Sequence, residues 1–400
     1  YVLSENYVYT VEAFRDLLSH LKDDGILAVS RFRLAPPRET LRVVSIAYQA
    51  LKDVGAPDPS NNIVVMSLNP TLAMVLTKIS PFTVNEIELL KSVVVEADGI
   101  IFYAPGVKTN TAYADLIVAF TEDRETEFFD EYEYNVAPVY DDRPFFFEYY
   151  KWSRFLDDFG RVDETYRGAN RPVAITVLGS VLAMSIFASI VLIVMPLALF
   201  RSNGHGLAKR WSEIAYFSLI GVAFMFVEIS MMQRFVLFLG HPGYSIPVVL
   251  ASLLVFAGIG SYCTNKIRLG LFTNLIISLL GIAIVLSLLL ILQSLILSEL
   301  MKTSLLTRVI ATIGMIAPAG ILMGMPFPLG LKVVSRISEH FIPWAWGINA
   351  VASVLGTILV VIAAMALGFS WVIAISVLLY LTALVTITPT AFLTRHSDVS

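Results

Sequence analysis

The 400-residue sequence predicts an open α/β domain followed by an all-α, polytopic membrane bundle. Three observations predict it. Charge is unevenly spread: 15% of residues are charged and 56% hydrophobic, and most of the charge lies in residues 1–170. Residues 172–392 are a succession of long apolar runs, far greasier than a soluble chain of this length. Within residues 1–150, helical periodicity alternates with short apolar runs bounded by turn residues, the pattern of an α/β sheet.

In chain order, Thr10–Lys22 has helical apolar spacing, with Thr10 as N-cap and Asp23-Asp24-Gly25 as stop. Ile26–Ser30 is a short apolar run after a turn and reads as a buried parallel strand. Pro36-Pro37 opens a helix over Glu39–Val54, closed by Gly55. Ile63–Leu68 and Leu72–Ile79, separated by Asn69-Pro70-Thr71, read as an antiparallel hairpin. A helix from Thr83 to about Ala97 and a strand over Gly99–Tyr103 complete an open sheet with an antiparallel edge. Residues 151–171 alternate acids and arginines as a charged connector, and 393–400 form a tail.

Seven apolar runs follow: roughly 173–200, 214–239, 244–263, 270–298, 307–330, 345–367 and 370–391. Each is long enough to cross a hydrocarbon layer of roughly 30 Å, so the lipid bilayer is the first partner the chain implies. The second and third runs, joined by His241–Gly243, organise the bundle. Glu228 lies near the middle of the second, where a carboxylate costs about 3 kcal/mol and must face protein or water. Asn349 is its first candidate partner on another span. Glu228 reads either as a proton- or amine-binding carboxylate or as a hydrogen-bonded packing residue. Ala257-Gly258-Ile259-Gly260-Ser261 lets helix backbones approach closely. Pro326 and Pro328 break the fifth run; Lys332 follows closely, which favours a helix end at the interface over a substrate-site break. Trp344 and Trp346 read as interfacial anchors.

Composition also excludes. A net charge of −4 argues against nucleic acid as a partner. One cysteine, Cys263, permits no internal disulfide, and the five histidines have no metal-ligand spacing. The chain opens abruptly at Tyr1, with no signal-peptide pattern, so the sequence predicts the C-terminal portion of a longer protein whose upstream part is also a partner.

Glu5-Asn6-Tyr7-Val8-Tyr9-Thr10-Val11-Glu12-Ala13-Phe14, with Leu21–Leu27, resembles the region just after the active-site loop of spermidine synthases and related class I methyltransferase-fold proteins. Phe226-Val227-Glu228 through Arg234, Gly240, the 257–261 stretch, Met323–Gly330 and Trp344–Asn349 resemble bacterial proteins that fuse such a domain to membrane helices. The resemblance implies a partial Rossmann-like, methyltransferase-type fold over 1–150 and transfer to an amine or other small acceptor. It also implies S-adenosylmethionine or decarboxylated S-adenosylmethionine as cofactor, held by residues before Tyr1, and a bacterial inner membrane with the soluble domain cytosolic. Two departures qualify it: the family's catalytic aspartate loop falls before Tyr1, and Ser67–Thr71 lacks the family's substrate-contacting tyrosine. The orientation of the first span stays open, because the two sides carry nearly equal Lys and Arg. A transporter-like protein with a sensor or relic soluble domain is the alternative.

Two polar clusters are candidate sites. Ser4-Glu5-Asn6-Tyr7 reads as a substrate-side contact, through Glu5 and Tyr7, or as a helix-capping network. Asp141-Asp142-Arg143-Pro144, before Phe145–Phe147, reads as amine-binding or acid/base carboxylates, or as a turn in which Arg143 neutralises one aspartate and the aromatic run docks on the domain or membrane.

Overall fold

The computed structural model describes residues 4–22, 24–152, 173–200, 210–267, 269–336 and 338–397. They fall into two units, Tyr1–Ile175 and Thr176–Ser400. Most of the connector predicted over 151–171 lies outside the described residues.

In the first unit, α1 (Val11–Ser19) begins where Thr10 accepts a hydrogen bond from the backbone N–H of Ala13. Then come β1 (Leu27–Phe32), α2 (Glu39–Asp53), β2 (Ile63–Ser67), β3 (Leu72–Thr77), α3 (Val84–Glu96), β4 (Ile100–Tyr103), α4 (Ala112–Thr121) and α5 (Glu125–Glu131). The sheet order is β1-β3-β2-β4, and every neighbouring pair is antiparallel. The predicted hairpin is present, with Val65 opposite Val75. It is not an edge: β3 sits between β1 and β2, so those two run the same way with α2 as their crossover. The strand predicted as buried and parallel is corrected. β1 pairs antiparallel with β3, and its residues alternate between half-buried and exposed. The reason lies in Leu-Ala-Val-Ser-Arg-Phe itself, whose period-two pattern leaves Ala28, Ser30 and Phe32 on an uncovered face.

β2 is buried along its whole length because both faces are covered. Ile63 and Val65 pack with Val11, Phe14, α2 and α4; Val64 and Met66 pack with Phe82, Ile87 and Val94 on the side of α3. Helices α4 and α5 follow the last predicted strand, and α4 buries Tyr113, Leu116 and Phe120 in the larger core.

The second unit holds seven helices, among the described residues, that are long and apolar enough to cross a membrane. By length and composition this is a multi-pass membrane protein. Helix α6 (Val173–Ser189) runs through a π-helical turn (Ile190–Val194) into α7 (Met195–Phe200). The others are α8 (Trp211–Leu239), α9 (Pro242–Cys263), α10 (Leu271–Leu300), α11 (Leu305–Met323), α12 (Pro326–Ser335), α13 (Ile342–Leu367) and α14 (Phe369–Ser397). The last therefore continues through most of the predicted tail. Helix α8 is the centre, packing against α9, α11, α12, α13 and α14.

Small residues set the closest approaches. A Cβ on Gly260 of α9 would stand 1.8 Å from the carbonyl oxygen of Ile321 in α11, and one on Gly324 would stand 2.0 Å from that of Ala257. The 257–261 stretch is thus a helix-packing surface, as its composition predicts. The proline break differs from expectation. It is not a terminal helix end: the chain resumes as α12, and Tyr216, fully buried, donates from its hydroxyl to the Pro326 carbonyl at 2.7 Å. Trp344 also departs, lying in the bundle core with 9% exposure, whereas Trp346 is exposed and packs edge-on against Phe327.

Candidate functional site

The two polar clusters, more than 130 positions apart, lie along one seam. The backbone N–H of Asn6 donates to the Pro144 carbonyl at 2.7 Å, and that of Val11 to the Val139 carbonyl at 2.8 Å. Glu12 closes the pairing: its carboxylate accepts from the backbone N–H of Asp141 at 3.1 Å. Glu12 and Asp141 therefore form one acidic pair, with Glu5 next to the Asn6–Pro144 pairing in the chain. Burial pushes all three carboxyls above their ordinary values. For Glu12 its own backbone N–H opposes this and the charge of Asp141 adds to it; for Asp141 the Thr10 hydroxyl opposes it.

Aromatic rings line the same seam. Tyr9 stacks on Phe146 with centroids 4.4 Å apart, and Phe147 meets Phe146 edge-on at 5.1 Å. Arg31, near the C-terminal end of β1, sits 5.3 Å from the Tyr9 ring centre and 5.0 Å from that of Phe147. Its guanidinium is fixed by Glu39 at 2.7–2.9 Å. These rings thus already carry one cation on their faces. The seam meets β1 near that strand's carboxyl end, at Arg31.

The remaining predictions divide. Thr10, not Glu5, caps α1, while Asn6 accepts from the backbone N–H of Val8 at 3.2 Å, so the 4–7 stretch is a local turn beside the seam. The Tyr7 carbonyl accepts from the Thr10 hydroxyl at 3.2 Å. Residues 140–143 form a turn, closed by the Arg143 backbone N–H on the Tyr140 carbonyl at 2.9 Å. The aromatic run docks on the domain, Phe145 and Phe146 being buried in it. Arg143 departs from expectation. Burial lowers its pKa, and the carboxylate that opposes this is Glu148, not Asp141 or Asp142. Asp142 follows Asp141 in the chain, and it is Asp141 whose backbone N–H meets the Glu12 carboxylate.

Sequence reasoning passed over Arg31, Glu39 and Arg42. Arg42 is fully buried in α2 and donates to the carbonyls of Phe145, Phe146 at 2.6 Å, and Asn135. It ties the 135–146 segment, and hence the seam, to the core. An arginine in the apolar row of an amphipathic helix was the available signal. Among the described residues, no cluster of histidine, cysteine, aspartate or glutamate is suited to a metal ion.

The membrane pair is not brought together. Asn349 donates to the Phe217 carbonyl at 3.0 Å and lies against Gly221. Phe217 is eleven positions from Glu228 on the same helix, about 16 Å along the axis. Glu228 is 7% exposed and follows Gly221 by seven positions, which puts it on the row of α8 that meets α13. No family model, curated protein or solved structure matches the chain.

Proposed function

We propose that the protein is a membrane-anchored transferase acting on a small amine, the acceptor being held at the seam of Glu5, Glu12 and Asp141. One observation carries this reading: residues 4–12 and 139–147 converge into an acidic seam flanked by aromatic faces, beside the carboxyl end of a strand. An ammonium group is attracted by carboxylates and by ring faces together. The carboxyls bind protons more tightly than usual, so each suits removal of a proton from an amine before it attacks. The same-direction pair β1 and β2 with its α2 crossover supports the sheet type that the resemblance implies.

That resemblance also implies S-adenosylmethionine or its decarboxylated form. Among the described residues the loop after β1, Arg33-Leu34-Ala35-Pro36-Pro37, is not the Gly-rich turn that would cradle it. What these residues supply is the acceptor side. Calorimetry on the full chain in detergent tests it. Putrescine or spermidine should release or absorb heat, and the double variant Glu12→Gln/Asp141→Asn should lose that heat while retaining its fold. Equal heats for both proteins would remove the reading.

A transporter-like function is the second reading, and one observation favours it: Glu228, a carboxylate inside a candidate membrane span, is 7% exposed. Glu228→Gln should then abolish flux in proteoliposomes. Unchanged flux, or none with the parent chain, counts against it.

A further inference from the structure

We propose that the second unit carries a binding site for an anionic phospholipid, wedged against the break between α11 and α12. A cleft of about 80 Å³ opens among the end of α9, the start of α10 and the broken span. Its walls are mostly apolar: Ile267, Leu269, Ile277, Leu322 and Leu329 line it, Met325 brings the break itself to the wall, and Asn274 lines it with its amide turned to the Leu269 carbonyl. Ile267, Leu269 and Ile277 are substantially exposed, so the cleft communicates with the surroundings of the bundle. Those surroundings, for helices of this length and hydropathy, are lipid.

The rim decides which lipid. Thr264 lines the cleft, and its carbonyl accepts from the Lys332 ammonium at 3.1 Å. Asn265 accepts from the same ammonium at 2.7 Å. Lys266 follows directly, its ammonium 4.7 Å from the ring centre of Tyr262. Neither lysine has a carboxylate partner among the described residues. Two cations held by neutral acceptors at the end of two spans, above an apolar slot, complement a phosphate with an acyl chain below it. A zwitterionic lipid satisfies the slot but carries its own cation against the lysines. The occupant is therefore an anionic phospholipid of the surrounding bilayer, with one chain in the cleft and its phosphate at Lys332 and Lys266.

The test uses the full chain in a neutral maltoside. Phosphatidylglycerol and phosphatidylcholine are titrated separately, with bound lipid counted by native mass spectrometry and thermal stability measured in parallel. Phosphatidylglycerol should bind more tightly and stabilise more. Lys332→Ala should cut that preference about fivefold, and Lys332→Arg should restore most of it. Ile277→Trp, at an exposed edge of the slot, should displace both lipids without unfolding the chain. Equal binding of the two lipids, a preference unchanged in Lys332→Ala, binding unaffected by Ile277→Trp, or equal stabilisation by inorganic phosphate alone would each overturn the proposal.

Discussion

Glu12 and Asp141 show how a residue acquires chemistry from what lies beside it. Each is an ordinary surface acid in the sequence. Half-buried, and in Glu12's case also beside the charge of Asp141, they hold protons beyond the usual carboxylate range. The folded state then keeps protons that the unfolded chain has already released, so stability from these groups falls as pH rises above their ordinary values. Asp141→Asn should flatten that fall, which hydrogen exchange at Val11 and Phe14 followed from about pH 4 to 7 would read. Amine binding should run the opposite way, strengthening across the same window as the carboxylates become available. Arg42 is the converse case. Burial lowers its pKa to about 10, still charged at neutral pH, and its donors hold three carbonyls of the C-terminal segment. Arg42→Leu should destabilise the unit by about 3 kcal/mol, with protection lost first over residues 135–146.

At the scale of the element, local signals and packing can be separated. Helix α3 starts with a complete capping box between Thr83 and Glu86. Glu86 also accepts from Lys78 at 2.6 Å, and these bonds hold its carboxyl down at about 2. That contribution is present above the ordinary carboxylate pKa and fades as pH falls toward about 2. Thr83→Ala should cost about 1 kcal/mol, seen as faster exchange in the first turn of α3. In the bundle, two neighbouring glycines give a sharper contrast. A side chain at Gly260 collides with backbone, whereas nothing lies within 4 Å of one at Gly258. Gly260→Ala should therefore cost about 1–3 kcal/mol in detergent melts, and Gly258→Ala should be neutral or slightly stabilising.

For the molecule as a whole, the broken span is where the bundle departs most from a set of simple rods. Pro326 and Pro328 cannot donate to the carbonyls one turn back, and Tyr216 reaches across from α8 to the Pro326 carbonyl. Tyr216→Phe removes that bond while keeping the ring, and should lower stability by about 1 kcal/mol and raise exchange across Met323–Leu329. A melt and an exchange pattern identical to the parent's would show that the break needs no such support.

Much of this was legible in the chain. The division into a charged α/β part and seven apolar spans follows from composition and period, because hydrophobic runs and caps act locally. Thr10, Thr83 and the hairpin were readable for the same reason. The order of strands was not: the apolar content of Ile26–Ser30 suits a parallel or an antiparallel neighbour equally, and only long-range pairing put β3 beside it. Likewise the sequence singled out Glu5, Asp141 and Glu228 as costly or reactive groups, since that cost belongs to the residue type and its surroundings in the chain. Which group each one meets was decided by tertiary structure. Asp141 finds Glu12 across 129 positions, whereas Glu228 is buried in α8 and Asn349 goes to Phe217 instead. Backbone propensity and hydropathy are properties of short segments, but the partner of a buried polar group is set by which helices and strands lie against it.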